Sequence, residues 1–343
     1  MKKVIALVTA VVLSFTALVG CGGAKTAETK TESKKLVVYS PNSEAIINTI
    51  IPMFEKETGI KVELVSAGTG ELLKRLQSEK ENPYADVMFG GSRSQFVQLP
   101  DLFEKYTSPN DKDLMDGHQN TTGYITSYVA DGSVLLVNTN LVGDIKIEGY
   151  ADLLNPALKG KIATADPSSS SSAFAQLTNM LLAMGGDYTS QKGWDYVKQL
   201  FTNIDGKIAS GSGACHKSVA NGEYVVALTY EDPAASYVKS GAPVKIVYPK
   251  EGTVFLDGAA GIVKGAKNMD NAKKFIDFII SKNAQDAFGS QLTNRPLRKD
   301  AALGTYMTPM DKIKLITEDT AYVDKNKSAI VQKYTDIFTS IKK

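Results

Sequence analysis

Three times between Leu36 and Ser94 a short apolar run ends in small, hydroxyl-bearing or amide residues and passes into a segment with helical apolar spacing. Leu36-Val37-Val38-Tyr39 stops at Ser40-Pro41-Asn42-Ser43, after which Ile46, Ile47, Ile50, Ile51 and Phe54 fall on one helical face and Gly59 supplies the stop. Lys61 to Ser66 alternates as a strand, turns at Ala67-Gly68-Thr69-Gly70, and leads to a helix with Leu72, Leu73 and Leu76 on one side. Asp86 to Phe89 is a third strand, ending in Gly90-Gly91-Ser92-Arg93-Ser94. Strands alternating with helices build an open α/β sheet, and such a sheet gathers its strand-end loops along one edge, where ligands bind.

The most distinctive of these transitions is KIATADPSSSSSAFAQLTNMLLAMGG, Lys161 to Gly186. Ile162 to Ala165 reads as a buried strand that Pro167 ends, because proline cannot donate to a sheet ladder. Phe174, Leu177, Leu181 and Met184 recur at helical spacing up to Gly185-Gly186. Ser168 to Ser172 then form the first turn and cap of a helix, where unpaired N–H groups, the positive end of the helix dipole and uncharged hydroxyls converge on an anion. The plain alternative is a flexible serine linker, against which stand the flanking strand and amphipathic helix.

Farther along, Tyr124 to Asn138 reads as two strand pieces around Asp131-Gly132, and Tyr150 to Lys161 as helix, turn and strand entrance. A helix surrounds Trp194 to Phe201; Gly211 to Lys217 reads as a loop, with a helical segment starting at Ser218. Val225 to Thr229 is a strand ended by Tyr230-Glu231-Asp232-Pro233, followed by strands at Val244 to Tyr248 and Phe255 to Val263 and a helix from Met269 to Ile280. Asn294 to Arg298 breaks the pattern, and the tail from Ala302 reads as surface helices. About 300 residues after the leader exceed one compact core, so two lobes are expected.

Residues 1 to 20 join two lysines to a long uncharged apolar run and read as an export signal. Leu18-Val19-Gly20 before Cys21 resembles a bacterial lipobox, which implies that Cys21 becomes a lipidated first residue. Ala24 to Lys35 has no large apolar residue and reads as a tether. Without Lys2 and Lys3 the charges balance at 37 against 37, and nothing suggests nucleic acid. With Cys21 lipidated, Cys215 is left without a disulfide partner.

The lipobox, the stretch from Leu36 to Gly91, the serine-rich helix start and HKSVANGEYVVALTYEDP together resemble the bacterial extracytoplasmic solute-binding proteins of ABC importers, in the group that binds ferric ion, hexose phosphates and phosphonates. The resemblance spans Leu36 to Lys343. It implies a two-lobed α/β fold of the type II periplasmic-binding-protein kind, with a ligand cleft between lobes joined by crossing strands near Tyr128 to Asn138 and Thr253 to Val263. The expected organisation is a signal peptide over 1–20, lipidated Cys and tether over 21–35, lobe 1 over 36–130, lobe 2 over 131–252, a return to lobe 1 over 253–300, and C-terminal helices over 301–343.

Family membership leaves the solute open. The resemblance to the hexose-phosphate members implies a phosphate held by Ser40, Asn42, Thr69, Ser92, Ser170, Ser171 and Ser172, with His216, Lys217, Tyr230 and Glu231 beside it or on the sugar. A sugar phosphate is expected first and a phosphonate or other organophosphate next, with no cofactor. Ferric iron is the alternative, through Tyr230, Glu231 and Tyr237; against it, Tyr230 is followed by Glu231 where ferric binders commonly carry two adjacent tyrosines, and the cleft offers mostly neutral donors. A third reading is an exported enzyme using Cys215, His216 or Glu231; the binding reading, without catalysis, is preferred because Cys215-His216 comes with no orienting group. Blander roles also stand: His216 as a cap or surface residue, Glu231-Asp232 as a turn before Pro233, and Arg93 and Lys217 as solvated charges. The expected partners are a small anionic solute and a membrane permease, with the monomeric chain lipid-anchored on the extracytoplasmic face of the cell membrane.

Overall fold

The computed structural model describes residues 34–205, 208–209 and 211–341. The signal, Cys21 and most of the tether lie outside the described residues. The chain runs β1 (Lys35–Ser40), α1 (Glu44–Thr58), β2 (Lys61–Ser66), α2 (Thr69–Ser78), β3 (Val87–Ser92), α3 (Arg93–Val97) and β4 (Thr126–Asn138). After two short 3₁₀ turns come β5 (Ile162–Ala163), α4 (Ser171–Gly185), α5 (Gln191–Ile204), α6 (Ser212–Ala220), β6 (Val226–Tyr230), α7 (Glu231–Lys239) and β7 (Val244–Val247). The last elements are β8 (Phe255–Ile262), α8 (Met269–Ile279), α9 (Lys282–Asp286), β9 (Arg295–Pro296) and α10 (Thr320–Ile341).

The strand order is β2-β1-β3-β8-β4-β6-β5, with β7 and β9 also on β4. β4 makes this one path serve two lobes. Its first half, Thr126 to Gly132, pairs antiparallel with β8, and its second half, Ser133 to Val137, pairs with β6. The sequence suggested two pieces broken at Asp131-Gly132. The backbone instead continues straight through, because the extended chain finds ladder partners on both sides of the dipeptide.

Each lobe packs helices on both faces of its sheet. In the first, Leu36, Val38 and Phe89 bury against Ile50 and Phe54 of α1 and Phe275 of α8, while Val37, Tyr39 and Met88 face Leu72 and Leu76 of α2. In the second, Leu135 and Val137 of β4 meet Leu177 and Leu181 of α4 and Trp194 and Leu200 of α5. Val134 and Leu136 point the other way, toward Cys215, Val219 and Ala234 of α6 and α7. This alternation is the period-2 geometry of a strand buried on both faces.

α10 is not the surface helix the sequence suggested. Val323, Ile330 and Tyr334 are buried in the second core, and Tyr334 meets Phe201 edge-on at 5.1 Å. To reach that core from β9 the chain passes between the lobes again. On the way it pairs with the crossing segment before β8: Thr253 N–H donates to Lys314 O at 2.8 Å, and Ile316 N–H to Thr253 O at 3.1 Å. Three adjoining segments therefore connect the lobes.

The crossing is tightly packed at Gly132, where a β-carbon would lie 2.6 Å from the Phe255 ring. Gly132→Ala is expected to destabilise the protein by about 1–3 kcal/mol through overpacking. Calorimetric melting checks this; an unchanged Tm would mean that the ring moves aside without cost.

Candidate functional site

The bend at the end of β3 gathers the first lobe's candidate residues. Gly90 and Gly91 have φ of 118° and 104°, and a β-carbon would come within 2.8 Å of Asn42 Oδ1 at the first and of the Thr69 methyl at the second. Only glycine lets these strand ends approach so closely. Ser40 is fully buried, donates to Phe89 O at 2.6 Å and accepts from Asn42 N–H. Asn42 donates Nδ2 to the same carbonyl and accepts from Tyr128 OH at 2.8 Å. These two residues thus hold the strand ends together. Thr69 opens α2, and Ser92 caps α3 in a box with Gln95.

In the second lobe α4 begins as the sequence suggested, with Ser170 as its N-cap. Ser170 is 8% exposed and its Oγ accepts from Ala173 N–H, so this hydroxyl serves the helix itself. The N–H groups of Ser171 and Ser172, the first two helical residues, have no intrahelical acceptor. Two buried amides on α4 fix its position. Gln176 donates to Val134 O at 2.9 Å and also to Thr229 O, and Asn179 donates to Gly252 O at 3.1 Å while accepting from Val254 N–H. Reading α4 only for apolar spacing missed both, although polar residues inside such a stripe were the available signal.

The third group of candidates departs from the sequence reading. Cys215, His216 and Lys217 belong to α6, which begins at Ser212, not to a strand-end loop. The Gly-Ser-Gly-Ala start looks like a loop but is the helix's first turn. Lys217 is exposed, and nothing brings it to the other candidates. His216 places Nδ1 3.3 Å from Thr229 Oγ1 and its ring 6.2 Å and 5.7 Å from those of Tyr230 and Tyr237; burial lowers its pKa. The buried Cys215 thiol is pushed up to about 11 by burial, the opposite of nucleophile activation.

Glu231 is 1% exposed and both its oxygens are taken. Arg295 Nε donates to Oε2 at 2.8 Å, while Arg295 Nη2 and Tyr248 OH converge on Oε1. This is a buried ion pair joining α7 to β9 of the other lobe, so the carboxylate has no free oxygen for a sugar hydroxyl or a metal. Nor does the adjoining N-terminus of α7 await a ligand. Asp131 Oδ1 already accepts from Glu231 N–H at 2.9 Å and Asp232 N–H at 3.3 Å. Burial, then the charges of Asp232 and Glu231, raise the Asp131 pKa well above the usual carboxylate value, while those two amides act in the opposite sense. Burial followed by Asp131 and Asp232 pushes the Tyr230 phenol up to about 12.

A cavity of about 480 Å³ opens between the lobes and brings Ser92 together with Ser171. Arg93 and Ser94 line it beside Ser92, as do Phe174 and Thr178 along α4. Thr253, Phe255 and Asp257 of the crossing segment form another wall, and residues from Leu315 to Lys327 close it. Arg93 donates to Ser127 Oγ and Thr121 Oγ1, both neutral acceptors, and among the described residues neither Arg93 nor Lys327 is in an ion pair. His118, given no role from the sequence, lies here with Nδ1 2.8 Å from Asp257 Oδ1. No local motif marks it; its partner is 139 residues away.

Two α/β lobes with a ligand-sized opening at their strand ends agree with what comparison finds. The family model described as bacterial extracellular solute-binding protein matches residues 36–291. The chain belongs to that family. The binding protein also superposes on the periplasmic binding protein AfuA from Actinobacillus pleuropneumoniae, solved with fructose-6-phosphate bound, with a TM-score of 0.72 and 29% identity over 90% of this chain and 99% of that one. It is 26% identical to iron uptake protein A1 of Synechocystis over 91% of each chain. It is likewise 26% identical to a putative 2-aminoethylphosphonate-binding periplasmic protein of Salmonella typhimurium, over 76% of this chain and 74% of the relative. The protein is an extracytoplasmic solute-binding component of an ABC importer, working with a membrane permease, and several of its relatives are named as periplasmic binding proteins. Among the described residues no helix is long and apolar enough to cross a membrane.

Asp131 makes the binding protein's stability pH-dependent. A carboxyl whose pKa is higher folded than unfolded (about 3.9) stabilises the fold while protonated, below the unfolded value, and loses that contribution as pH rises through the folded value. Asp131→Asn keeps an oxygen for both α7 amides and removes the titration. Thermal melts should show the variant gaining on the wild type as pH rises above about 4. A variant that instead loses ground over this interval would mean that the ionised carboxylate is the stabilising cap.

Proposed function

We propose that the solute is a phosphorylated small molecule, with its phosphate at the start of α4 and beside Ser92. The observation that carries this is the pair of uncapped N–H groups at Ser171 and Ser172, on a helix whose residue Ser171 lines the same cavity as Arg93 and Lys327. Backbone donors, helix dipole and two cations without carboxylate partners favour an anion there. The relatives that bind fructose-6-phosphate and, by name, 2-aminoethylphosphonate support the same chemical class. A sugar phosphate comes first and a phosphonate or other organophosphate next.

The ferric alternative draws on the iron uptake relative and on the gathering of Tyr230, Tyr237 and His216. It is the weaker reading, because Glu231 is committed to Arg295. We further propose a monomeric chain on the extracytoplasmic face, lipid-anchored there because Cys21 follows a lipobox-like Leu-Val-Gly.

A thermal-melt panel of sugar phosphates, phosphonates, inorganic phosphate and ferric salts tests the solute. A phosphate ester at a hundred times its Kd should stabilise the fold by about 2.7 kcal/mol. Ser171→Ala should weaken it by about 0.5–1.5 kcal/mol, and Ser171→Glu should abolish binding through repulsion. Full affinity in the acidic variant, or a response to ferric iron alone, would sink the assignment. For the anchor, Cys21→Ser should release the protein from the membrane fraction; mass spectrometry finding an unacylated Cys21 in wild-type protein would count against it.

A further inference from the structure

The lobes are joined by more than the segments that cross between them. β4 is paired on both edges: Ala130 meets Asp257 of β8 on one and Arg295 of β9 on the other, and Leu135 likewise meets Leu228 of β6 and Val247 of β7. Beside this ladder runs a seam between α7 of the second lobe and the stretch from Gln291 to Thr308 of the first. Its centre is the Glu231–Arg295 pair, with side chains 1% and 2% exposed, where Arg295 Nη2 also donates to Thr308 O at 2.8 Å. The guanidinium lies over the Phe255 ring at 5.0 Å, the same ring that leaves no room for a β-carbon at Gly132. One residue along α7, Asp232 accepts from Thr293 Oγ1 at 2.5 Å. At the far end of the helix the exposed Lys239 donates to Gln291 O and lies over the Tyr306 ring at 5.6 Å.

Glu231 and Lys239 stand at opposite ends of α7, about 12 Å apart at a rise of 1.5 Å per residue. A swing of one lobe that keeps both attachments is therefore confined to rotation about that helix. Any other swing parts Glu231 from Arg295 and strands two buried charges, which is strongly unfavourable. The cavity side is fastened differently. Among the described residues no hydrogen bond joins Ser92, Arg93 or Ser94 to α4 or α10, although both helices face them across the cavity. We infer that the α7 seam sets the angle between the lobes before any solute arrives, so that the solute enters a gap of nearly final width instead of drawing the lobes together. Arg295 is then a positioning residue: it touches no solute and holds the second lobe at the angle that faces Ser171 toward Ser92. A ligand shifts a conformational equilibrium only by its differential affinity for the two states, and a gap already set removes that ordering from the binding step. The inference concerns the frame and is independent of which solute the frame holds.

Double electron–electron resonance on the full chain tests this, with nitroxides at Gln98→Cys on the first lobe and Ser328→Cys on the second, both exposed, in a Cys215→Ala background with single-label controls. The parent protein should give one narrow distance without ligand, and fructose 6-phosphate or inorganic phosphate should move it by less than about 2 Å. Two paired variants then loosen the seam. Thr293→Val with Lys239→Ala removes its outer bonds and leaves the ion pair, while Glu231→Gln with Arg295→Met removes both buried charges so that neither is stranded. Each should broaden the ligand-free distribution and weaken both anions by a common factor, about threefold where the competent angle falls to roughly a third of the population. A merely structural role would lower the Tm of these variants and leave the distance of the folded protein unchanged. A broad ligand-free distribution in the parent, a shift well beyond 2 Å on adding either anion, or variants that keep the parent's distribution would each overturn the inference. Should neither anion bind, the phosphate reading alone falls, and the ligand-free distributions of parent and variants still decide the seam.

Discussion

The backbone ladder along β4 holds the molecule together. Buried N–H and C=O groups must be paired, and this strand satisfies them in two sheets, through β8 and then through β6 and β7. Its residues therefore belong to both lobes, and the polar chemistry of the protein collects where it changes partners. Asp131 is there and caps α7. Ala130 pairs with Arg295, whose guanidinium reaches Glu231. A buried ion pair gains little net stability once desolvation is counted, but either partner alone would be costly. Glu231 and Arg295 thus commit the start of α7 to one position against the first lobe.

That commitment divides labour among the helix termini. α7 spends its positive end on Asp131, a residue of its own chain, whereas α4 keeps two N–H groups open and is fixed at its other turns by Gln176 and Asn179. Both helices start at a strand edge between the lobes, and the difference lies in a carboxylate supplied by β4. The anion reading is correspondingly narrower than a row of strand-end hydroxyls first suggests: Ser40, Asn42 and Ser170 serve the scaffold, and Ser171 and Ser92 line the opening.

Elements with strong local periodicity were legible from sequence. α1 and its Gly59 cap, the β2–α2 unit and α4 beginning beside Ser170 follow from side chains a few residues apart. What escaped depends on distant partners. Asp131-Gly132 carries the composition of a turn, and only two sheets meeting at the same strand make it straight. Glu231 beside Asp232 and Pro233 looks like a solvated turn until Arg295, 64 residues on, is brought against it. His118 acquires meaning only from Asp257. For α10 the signal was present, since Val323, Ile330 and Tyr334 share one stripe, but neighbouring charges disguised it as surface.

The placement of β8 between β3 and β4 governs the order in which the molecule can assemble. The first lobe's sheet lacks an interior strand until the chain has reached Ile262, and Asn271 must still return to Lys35, 236 residues back. The second lobe, nested within the first, waits longer, because α10 supplies part of its core. Each core therefore waits for a distant segment, and contacts so far apart in sequence form slowly. The same connectivity that lets three segments join the lobes leaves both cores incomplete until distant segments arrive, a property suited to a protein whose place of work is on the far side of a membrane.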